Sequence, residues 1–500
     1  MSTHSEALHT ETPELRLHPL SWLFELFNVL KQFIVPLLFL LFAGRSNSYE
    51  LWGLIAIAFM VPLAVARYFT FRYQINSDHL IIRSGLIHKT VRNMAFTRIQ
   101  NVTLHQGVLH RMMQVAEVRL ETGGGEDKED GKMRVLSLAQ AKQLQHIIRD
   151  QETTNRSTPN STVQLDTNEQ SLLTLSNREL IKLGLISNKG MILVAAAFGG
   201  LMQFDYIKPT KYFEIAGKWL WNHSAELSQN NFLSYFLGGL TVLFAALILV
   251  RIISIIQAIL HYYGFVLSQQ DDRLSIERGL LNRFSGSLPR TRIQAWTLEQ
   301  GFLQRRFNRF ALRVDAAAGG GVKSEHLESH WQLAPIADQQ HIETIIDSVI
   351  PVGSWPVAVW QPLHPNAWKR EFKAPALWLL LPLAILVYWF HAWGLLLLLA
   401  HPWLWFQSKQ WAKYAGYSYD SGLIAVREGW IKKHWRFAEV RKIQAVYIKQ
   451  SPFDRKHGMA GVYFDTVNAG SFEPPLAIRY LPFNEAVRLH AELSQVIAKA

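Results

Sequence analysis

Long apolar runs and short alternating runs take turns along this chain. The apolar runs come in pairs: Leu26 to Ala43 with Leu51 to Phe71, Gly190 to Phe204 with Asn231 to Leu260, and Ala374 to Phe390 with Trp393 to Phe406. Crossing hydrocarbon takes about 20 apolar residues, and the pairing of shorter with longer members predicts three helical hairpins and so six spans. Lys31 sits near the start of its run and can snorkel, and Arg251 sits in the second half of a long one, so neither bears the full cost of a mid-bilayer charge. Between the pairs the period changes. "LIIRSG", "LSIERG" and "IAVREG" are short β-prone runs closing on a glycine suited to a positive-φ turn. "QVAEVRLETG", "FALRVDAAAG" and "GVYFDTVNAG" alternate apolar with polar, and "LAQAKQLQHIIRD", "IADQQHIETIIDSVI" and "FNEAVRLHAELSQVIAK" then show helical spacing. Short strands closed by one helix predict a small β-barrel or sandwich capped by that helix.

The polar stretches are three copies of one text. With Gly85, Gly279 and Gly429 as anchors, the tripeptides Arg98-Ile99-Gln100, Arg292-Ile293-Gln294 and Lys442-Ile443-Gln444 fall at the same distance downstream. Gln106, Gln300 and Gln450 follow, then Leu109, Leu303 and Phe453, then Arg111, Arg305 and Arg455, then Glu121, Asp315 and Asp465, without a gap. A repeat of this kind is to be read before any motif. The expected division is a leader (1–21), hairpin (22–71) and module (72–150), a polar linker (151–171), hairpin (172–260) and module (261–350), and a Pro-rich, extended linker (351–366), hairpin (367–408) and module (409–500). "LHP" precedes the first and third hairpins, at Leu17 to Pro19 and Leu363 to Pro365, where the second has "LSNRELIKLGL".

Composition agrees with a protein part in membrane and part in water: 49% of residues are hydrophobic, 18% are charged, and 17 are Trp, a residue that favours the bilayer interface. Cysteine is absent, which excludes disulfides, thiolate nucleophiles and Cys-ligated metal clusters. The net charge of +12 is distributed unevenly. Arg16, Arg67, Arg72, Lys182, Lys189, Lys369, Arg370, Lys373, Lys409 and Lys413 flank the spans on the module side, whereas the loop from Asp205 to Asn231 balances three lysines against three acids. The positive-inside rule then places both termini and all three modules in the cytoplasm. The acidic leader, with no small-residue cleavage site after it, does not read as a signal peptide.

A strand closing on glycine, the Arg-Ile-Gln signature, the Gln, Leu and Arg after it, a further strand and a C-terminal helix, with a two-span hairpin in front, resemble the YdbS/YdbT-like bacterial pleckstrin-homology (PH) membrane proteins. The three-copy arrangement resembles the three-domain type of that family. The resemblance implies an α+β membrane protein: six transmembrane helices in three hairpins, each followed by a cytoplasmic PH-like module, a curved antiparallel sheet of roughly seven strands closed by a C-terminal helix. It also implies a bacterial inner-membrane setting, a role in envelope maintenance or antimicrobial defence, and a smaller two-span protein with a single such domain as a partner. The third copy departs at Lys442 and Phe453.

Candidate chemistry is sparse. The glycine runs at Gly123 to Gly125 and Gly319 to Gly321 lack the Lys-Ser/Thr of a phosphate loop and read as hairpin turns. The 19 histidines include no HExxH and no paired helical spacing, and no G-x-S-x-G elbow occurs, so no catalytic, cofactor or metal site is expected. In the signature, Ile reads as core, with Arg and Gln pinning loops. One cluster stands out as a partner or headgroup surface: Arg427, Lys432, Lys433, Arg436, Arg441, Lys442, Lys449, Arg455 and Lys456, interleaved with Trp430, Trp435 and Tyr447. Beside a membrane such a surface favours anionic headgroups over nucleic acid. The expectation is a non-enzymatic scaffold that binds lipids or a membrane protein. The alternative is a six-span transporter of lipid or peptide, against which stands the lack of buried ionisable residues and paired broken helices.

Overall fold

The computed structural model describes residues 69–76, 78–85, 89–122, 132–154, 170–201, 231–270, 272–316, 330–349, 356–420, 422–466 and 476–499, with short pieces at 15–16, 18–19, 21–24, 62 and 66. The first hairpin and both glycine runs lie outside them, except for the C-terminal end of the second apolar run.

Among the described residues each module contributes seven strands. In the first they are β1 (Leu15–Arg16), β2 (Arg72–Ile75), β3 (His79–Ser84), β4 (Thr90–Ala95), β5 (Ile99–Gln106), β6 (Val115–Thr122) and β7 (Lys132–Ser137). The second has β8 (Gln170–Thr174), β9 (Val266–Gln270), β10 (Arg273–Arg278), β11 (Arg283–Pro289), β12 (Ile293–Gln300), β13 (Phe310–Ala316) and β14 (His330–Ala337). The third has β15 (Gln361–Pro362), β16 (Gly416–Asp420), β17 (Leu423–Glu428), β18 (Lys433–Glu439), β19 (Ile443–Lys449), β20 (Met459–Thr466) and β21 (Ala477–Pro482). A short helix follows the fifth strand of each module: α1 (Val108–Met112), α6 (Phe302–Arg306) and α11 (Pro452–Lys456). A longer one closes it: α2 (Leu138–Thr154), α7 (Gln339–Val349) and α12 (Phe483–Lys499). The remaining helices are α3 (Asn177–Ile186), α4 (Lys189–Leu201), α5 (Asn231–Tyr262), α8 (Ala367–Trp378), α9 (Leu380–Phe390) and α10 (Ala400–Tyr414).

The sheets show that each hairpin interrupts its module instead of preceding it. β1 pairs antiparallel with β2, β8 with β9, and β15 with β16, so the first strand of every module lies before the apolar segment and its partner lies after it. The linker at 351–366 therefore carries a strand, Gln361–Pro362, where an extended tether was expected. The histidines of the "LHP" motifs stand at the turns that follow β1 and β15: the Ser21 N–H donates to the His18 carbonyl and the Ala367 N–H to the His364 carbonyl, both at 2.8 Å. In the second module Ser176 does this work, its hydroxyl accepting from the Glu179 N–H as the N-cap of α3.

The chain forms two compact units. In the first, β1 to β4 make one antiparallel sheet, and β7, β6 and β5 make another whose β5 also takes residues 283–286 as its neighbour. Tyr73, Leu80, Phe96, Ile99, Val118 and Leu136 fill the space between them, with Ala141 and Leu144 of α2 closing the end. In the second unit β14, β13, β12, β18, β17, β16 and β15 form one sheet of seven strands, so that strands of the second and third modules share a single ladder. β19, β20 and β21 face it across a core of Ile424, Val426, Ile443, Val462, Phe464 and Ile478, capped by Leu489 and Leu493 of α12.

Among the described residues two helical stretches are long and apolar enough to cross a membrane, Leu243–Tyr262 and Ala367–Phe390. α4 runs from Lys189 to Leu201, the last described residue before 231. The sixth apolar run is not one α-helix: residues 391–399 are 3₁₀-helical and lead into α10. The chain reverses at His391-Ala392, with His391 at φ +52° and Gly394 so close to the backbone of Val387 that a Cβ there would lie 2.5 Å from its nitrogen. Arg251 is spent on structure. Its guanidinium donates to the carbonyls of Leu185 and Ser187 and to Asn188 Oδ1 at 3.0 to 3.1 Å, capping the C-terminus of α3, where a cation is favoured. Gly184 and Gly190 let α3 and α4 lie directly on α5: the Gly190 N–H donates to Ser254 Oγ at 3.1 Å, and a Cβ on Gly184 would meet the Ile255 backbone at 2.4 Å.

Candidate interaction surface

The anchor glycines sit at φ +117° (Gly85), +109° (Gly279) and +87° (Gly429), a conformation open to glycine and strained for other residues. Around the last two, the turn they make docks on the end of a membrane-side helix. The Gly279 and Leu280 N–H groups donate to the carbonyls of Tyr263 and Leu260, and Trp430 packs against Trp403 and Phe406 of α10. Ile99, Ile293 and Ile443 are all buried. In the first and third modules the glutamine six residues beyond the signature ties the fifth strand to the start of the sixth: Gln106 Nε2 donates to the Val115 carbonyl and Gln450 Nε2 to that of Met459, at 3.0 and 2.9 Å.

The basic residues of the third module divide into two groups. The first faces the second module. β18 lies antiparallel to β12 with Ala438 opposite Ala295, Arg436 opposite Thr297 and His434 opposite Glu299. Arg436 donates to Asp315 Oδ2 at 2.6 Å, both side chains nearly buried. Glu299 gathers Lys432 at 3.0 Å and His434 and Arg313 at 3.5 Å. Burial alone would raise its carboxyl, but the His434 contact and the charges of Arg313 and Lys432 outweigh it and hold the group at about 2. Lys442 donates to the Ile293 carbonyl at 2.8 Å and to Glu439 at 2.9 Å, and its ammonium lies 5.4 Å from the Trp296 ring centroid. Arg441 pairs with Glu439 within the third module. Lys432, Arg436 and Lys442 join one module to the next.

Arg427 and Lys433 rest on aromatic faces near α10. Arg427 lies 4.8 Å from the Trp360 ring and 5.1 Å from that of Tyr414, and Lys433 is 4.5 Å from Tyr414. Burial, then the nearby Arg305 and Arg427, push the Lys433 ammonium down. The second group is exposed. Lys449 lies beside the stacked rings of Tyr447 and Tyr463, and Arg455 and Lys456 stand on α11 next to Phe453, which is 57% exposed.

Sequence reading passed over a joint present in every module, where the short helix meets the segment leading into the hairpin. Phe24 stacks on His110 with centroids 4.0 Å apart, Arg309 forks onto both oxygens of Glu179 at 2.9 and 3.0 Å, and Arg370 holds Asp454 at 2.8 Å. The Arg309 bond, outweighing burial, and the bond from Lys182 hold the Glu179 carboxyl at about 2. The joint is kept while its chemistry changes from rings to an ion pair and then to an ion pair of reversed polarity. Position in the repeat was the available signal, since the residue types differ. Each short helix thus lies near the start of a hairpin and shows apolar side chains beside basic ones: Val108, Leu109 and Met112 with Arg111, Phe302 with Arg306, and Phe453 with Arg455 and Lys456. Among the described residues no cluster of His or carboxylates could hold a metal ion.

Comparison with known proteins agrees with this architecture. The bacterial PH domain family matches residues 26–152, 231–349 and 376–497, and each match spans apolar and strand-forming segments together. The chain is also 20% identical to the "UPF0699 transmembrane protein YdbT" of Bacillus subtilis (strain 168) over 483 residues, 93% of this chain and 94% of that one. No solved structure matches. Three interrupted seven-strand modules and a matching relative of nearly equal length make this chain a YdbT-like, three-domain member of the bacterial PH domain family.

Proposed function

We propose that this protein is a non-enzymatic membrane scaffold that holds three PH-like modules at one face of the bacterial inner membrane, where they bind a protein or lipid-headgroup partner. The observation that carries the reading is the interruption of every module by its apolar hairpin. Adjacent strands lie about 4.8 Å apart, so an insertion whose ends are held in two paired strands leaves and returns on the same side and crosses an even number of times. Three such insertions support six spans with both termini and all modules on one face, and the charge flanks make that face cytoplasmic. The short helices then lie at headgroup level, their apolar side chains suited to the interface and their cations to anionic lipid. Envelope maintenance or defence, with a smaller two-span protein carrying one such domain as the partner, is the setting the family resemblance suggests.

Photo-crosslinking in native membranes tests this. A photoreactive residue at Phe453 or Lys456 is expected to capture phospholipid or one discrete membrane protein, and capture is expected to fall when Arg455 and Lys456 are neutralised. Capture no greater than from an exposed position on α12, such as Glu492, would sink the reading. Substrate-dependent flux through proteoliposomes would replace it with transport.

A further inference from the structure

The two junctions between modules are built alike, and the chain holds the unused halves of a third. β5 takes residues 283–286 with Gln106 opposite Arg283, His105 opposite Phe284 and Leu104 opposite Ser285. β12 takes β18 with Gln300 opposite Lys433, Glu299 opposite His434 and Leu298 opposite Trp435. Aligned on the Arg-Ile-Gln signature, these are the same pairs of repeat positions, so strand, partner and register are all repeated. In each case the fifth strand of one module accepts the fourth strand of the next. The first module's fourth strand, β4, ends the sheet β1-β2-β3-β4, and the third module's fifth strand, β19, ends the sheet β19-β20-β21. Neither has a second strand neighbour among the described residues.

Both strands have the length and composition to pair. β4 has six residues and β19 seven, with no proline in either. Burial shows what the missing neighbour does: β12 is buried along its whole length, whereas Gln444, Ala445, Tyr447 and Lys449 of β19 are exposed and Val91 of β4 is 63% exposed. Carrying the junction register across sets Ile448 opposite Val91, Tyr447 opposite Arg92, Lys449 opposite Thr90 and Gln450 opposite Lys89. An apolar pair meets at the exposed valine, an aromatic ring faces an arginine, and no like charges face each other. The imidazole of His490 lies 3.2 Å from the Val446 carbonyl, a contact a docking strand can exchange for a ladder bond.

We infer that a second copy of this chain docks head to tail, β19 of one molecule on β4 of the next, extending the module array beyond a single chain. The contact is heterologous, so it builds closed rings or open rows. Because all modules of the scaffold share one membrane face, it assembles in the plane of the membrane. The strand pairing itself needs no lipid or second protein, so the headgroup reading can fail while this stands.

The absence of cysteine makes the test clean. Val91→Cys and Ile448→Cys place thiols at directly opposed positions, within reach of a disulfide. Under mild oxidation in membranes, chains carrying one substitution each are expected to give a reducible dimer when co-expressed, and the doubly substituted chain a ladder of multiples. The control pair Arg92→Cys and Ile448→Cys, one residue out of phase, is expected to link at least tenfold less, because a one-residue shift turns the side chain to the other face. The unsubstituted chain in mild detergent is expected to show multiples of 57.3 kDa after subtraction of detergent mass, a measurement no folding defect can confuse. Products of monomer mass only, equal linking by the control pair, capture of a different protein in place of a second copy, or an unsubstituted chain that stays monomeric at every concentration would each overturn the inference.

Discussion

β12 and β19 are the same strand of the same repeat, "IQAWTLEQ" in one copy and "IQAVYIK" in the other, yet they live in different environments. β12 lies between two strand neighbours and is buried throughout; β19 has one neighbour among the described residues and leaves Gln444, Ala445, Tyr447 and Lys449 exposed. The substitutions follow. Where β12 carries Trp296, 1% exposed, β19 carries the half-buried Val446; where β12 carries Glu299, in contact with Arg313, Lys432 and His434, β19 carries the exposed Lys449. A repeat thus fixes the strand, and its place in the array decides which residues the strand can hold.

The largest effect is expected at the buried ring. Trp296→Ala empties a fully packed site and is expected to cost about 3 to 5 kcal/mol, whereas Val446→Ala at the same repeat position costs about 1 kcal/mol. Denaturant titration of the purified chain, followed by intrinsic fluorescence, separates the two, and equal costs would erase the distinction between the strands. Next comes charge. Glu299→Ala leaves Lys432, His434 and Arg313 facing one another across the junction, at a cost of about 3 kcal/mol. Lys449→Gln on β19 is expected to stay within about 0.5 kcal/mol.

The same carboxylate gives the junction a pH limit. Its folded-state value of about 2 lies below the ordinary 4.5, so the stabilisation is complete above the ordinary value and is lost as pH falls through the folded one. Over that window the second and third modules are expected to lose about 3 kcal/mol of mutual stability, and Glu299→Gln to remove this dependence. Thermal melts from pH 5 down to pH 2 read it out; identical slopes in wild type and variant would contradict it. The smallest effect is dynamic. In chains kept apart at low concentration, amides of residues 293–300 are expected to exchange with solvent more slowly than those of 443–449, measured by mass spectrometry.

Much of this architecture is legible in the sequence because the repeat keeps its spacing: the anchor glycines, the signature isoleucines and the closing helices fall where the alternation and helical periods put them. The interruption of each module was not legible. β1 is "LR" and β15 is "QP", two residues each, too short to show any period, and their partners lie beyond an apolar hairpin. The basic cluster was visible as charge, but its complement was not, since Glu299 and Asp315 belong to a different module more than 100 residues earlier. What could have shown it is alternation. His434 and Arg436 occupy one face of β18, and Glu299 occupies a matching position on β12, a pattern meaningful only once two strands from different modules are set side by side.

The account rests on modules joined through one sheet, and the most direct test is a disulfide across that join. Ala295 and Ala438 are small, buried and directly opposed in the pairing of β12 with β18. In a chain with no other cysteine, Ala295→Cys with Ala438→Cys is expected to close an intrachain disulfide nearly completely under mild oxidation in membranes, so that fragments cut between the modules stay together until reduced. If both thiols instead remain free and react with a water-soluble alkylating reagent in the folded protein, the shared sheet does not exist and the joining of the modules through it is contradicted.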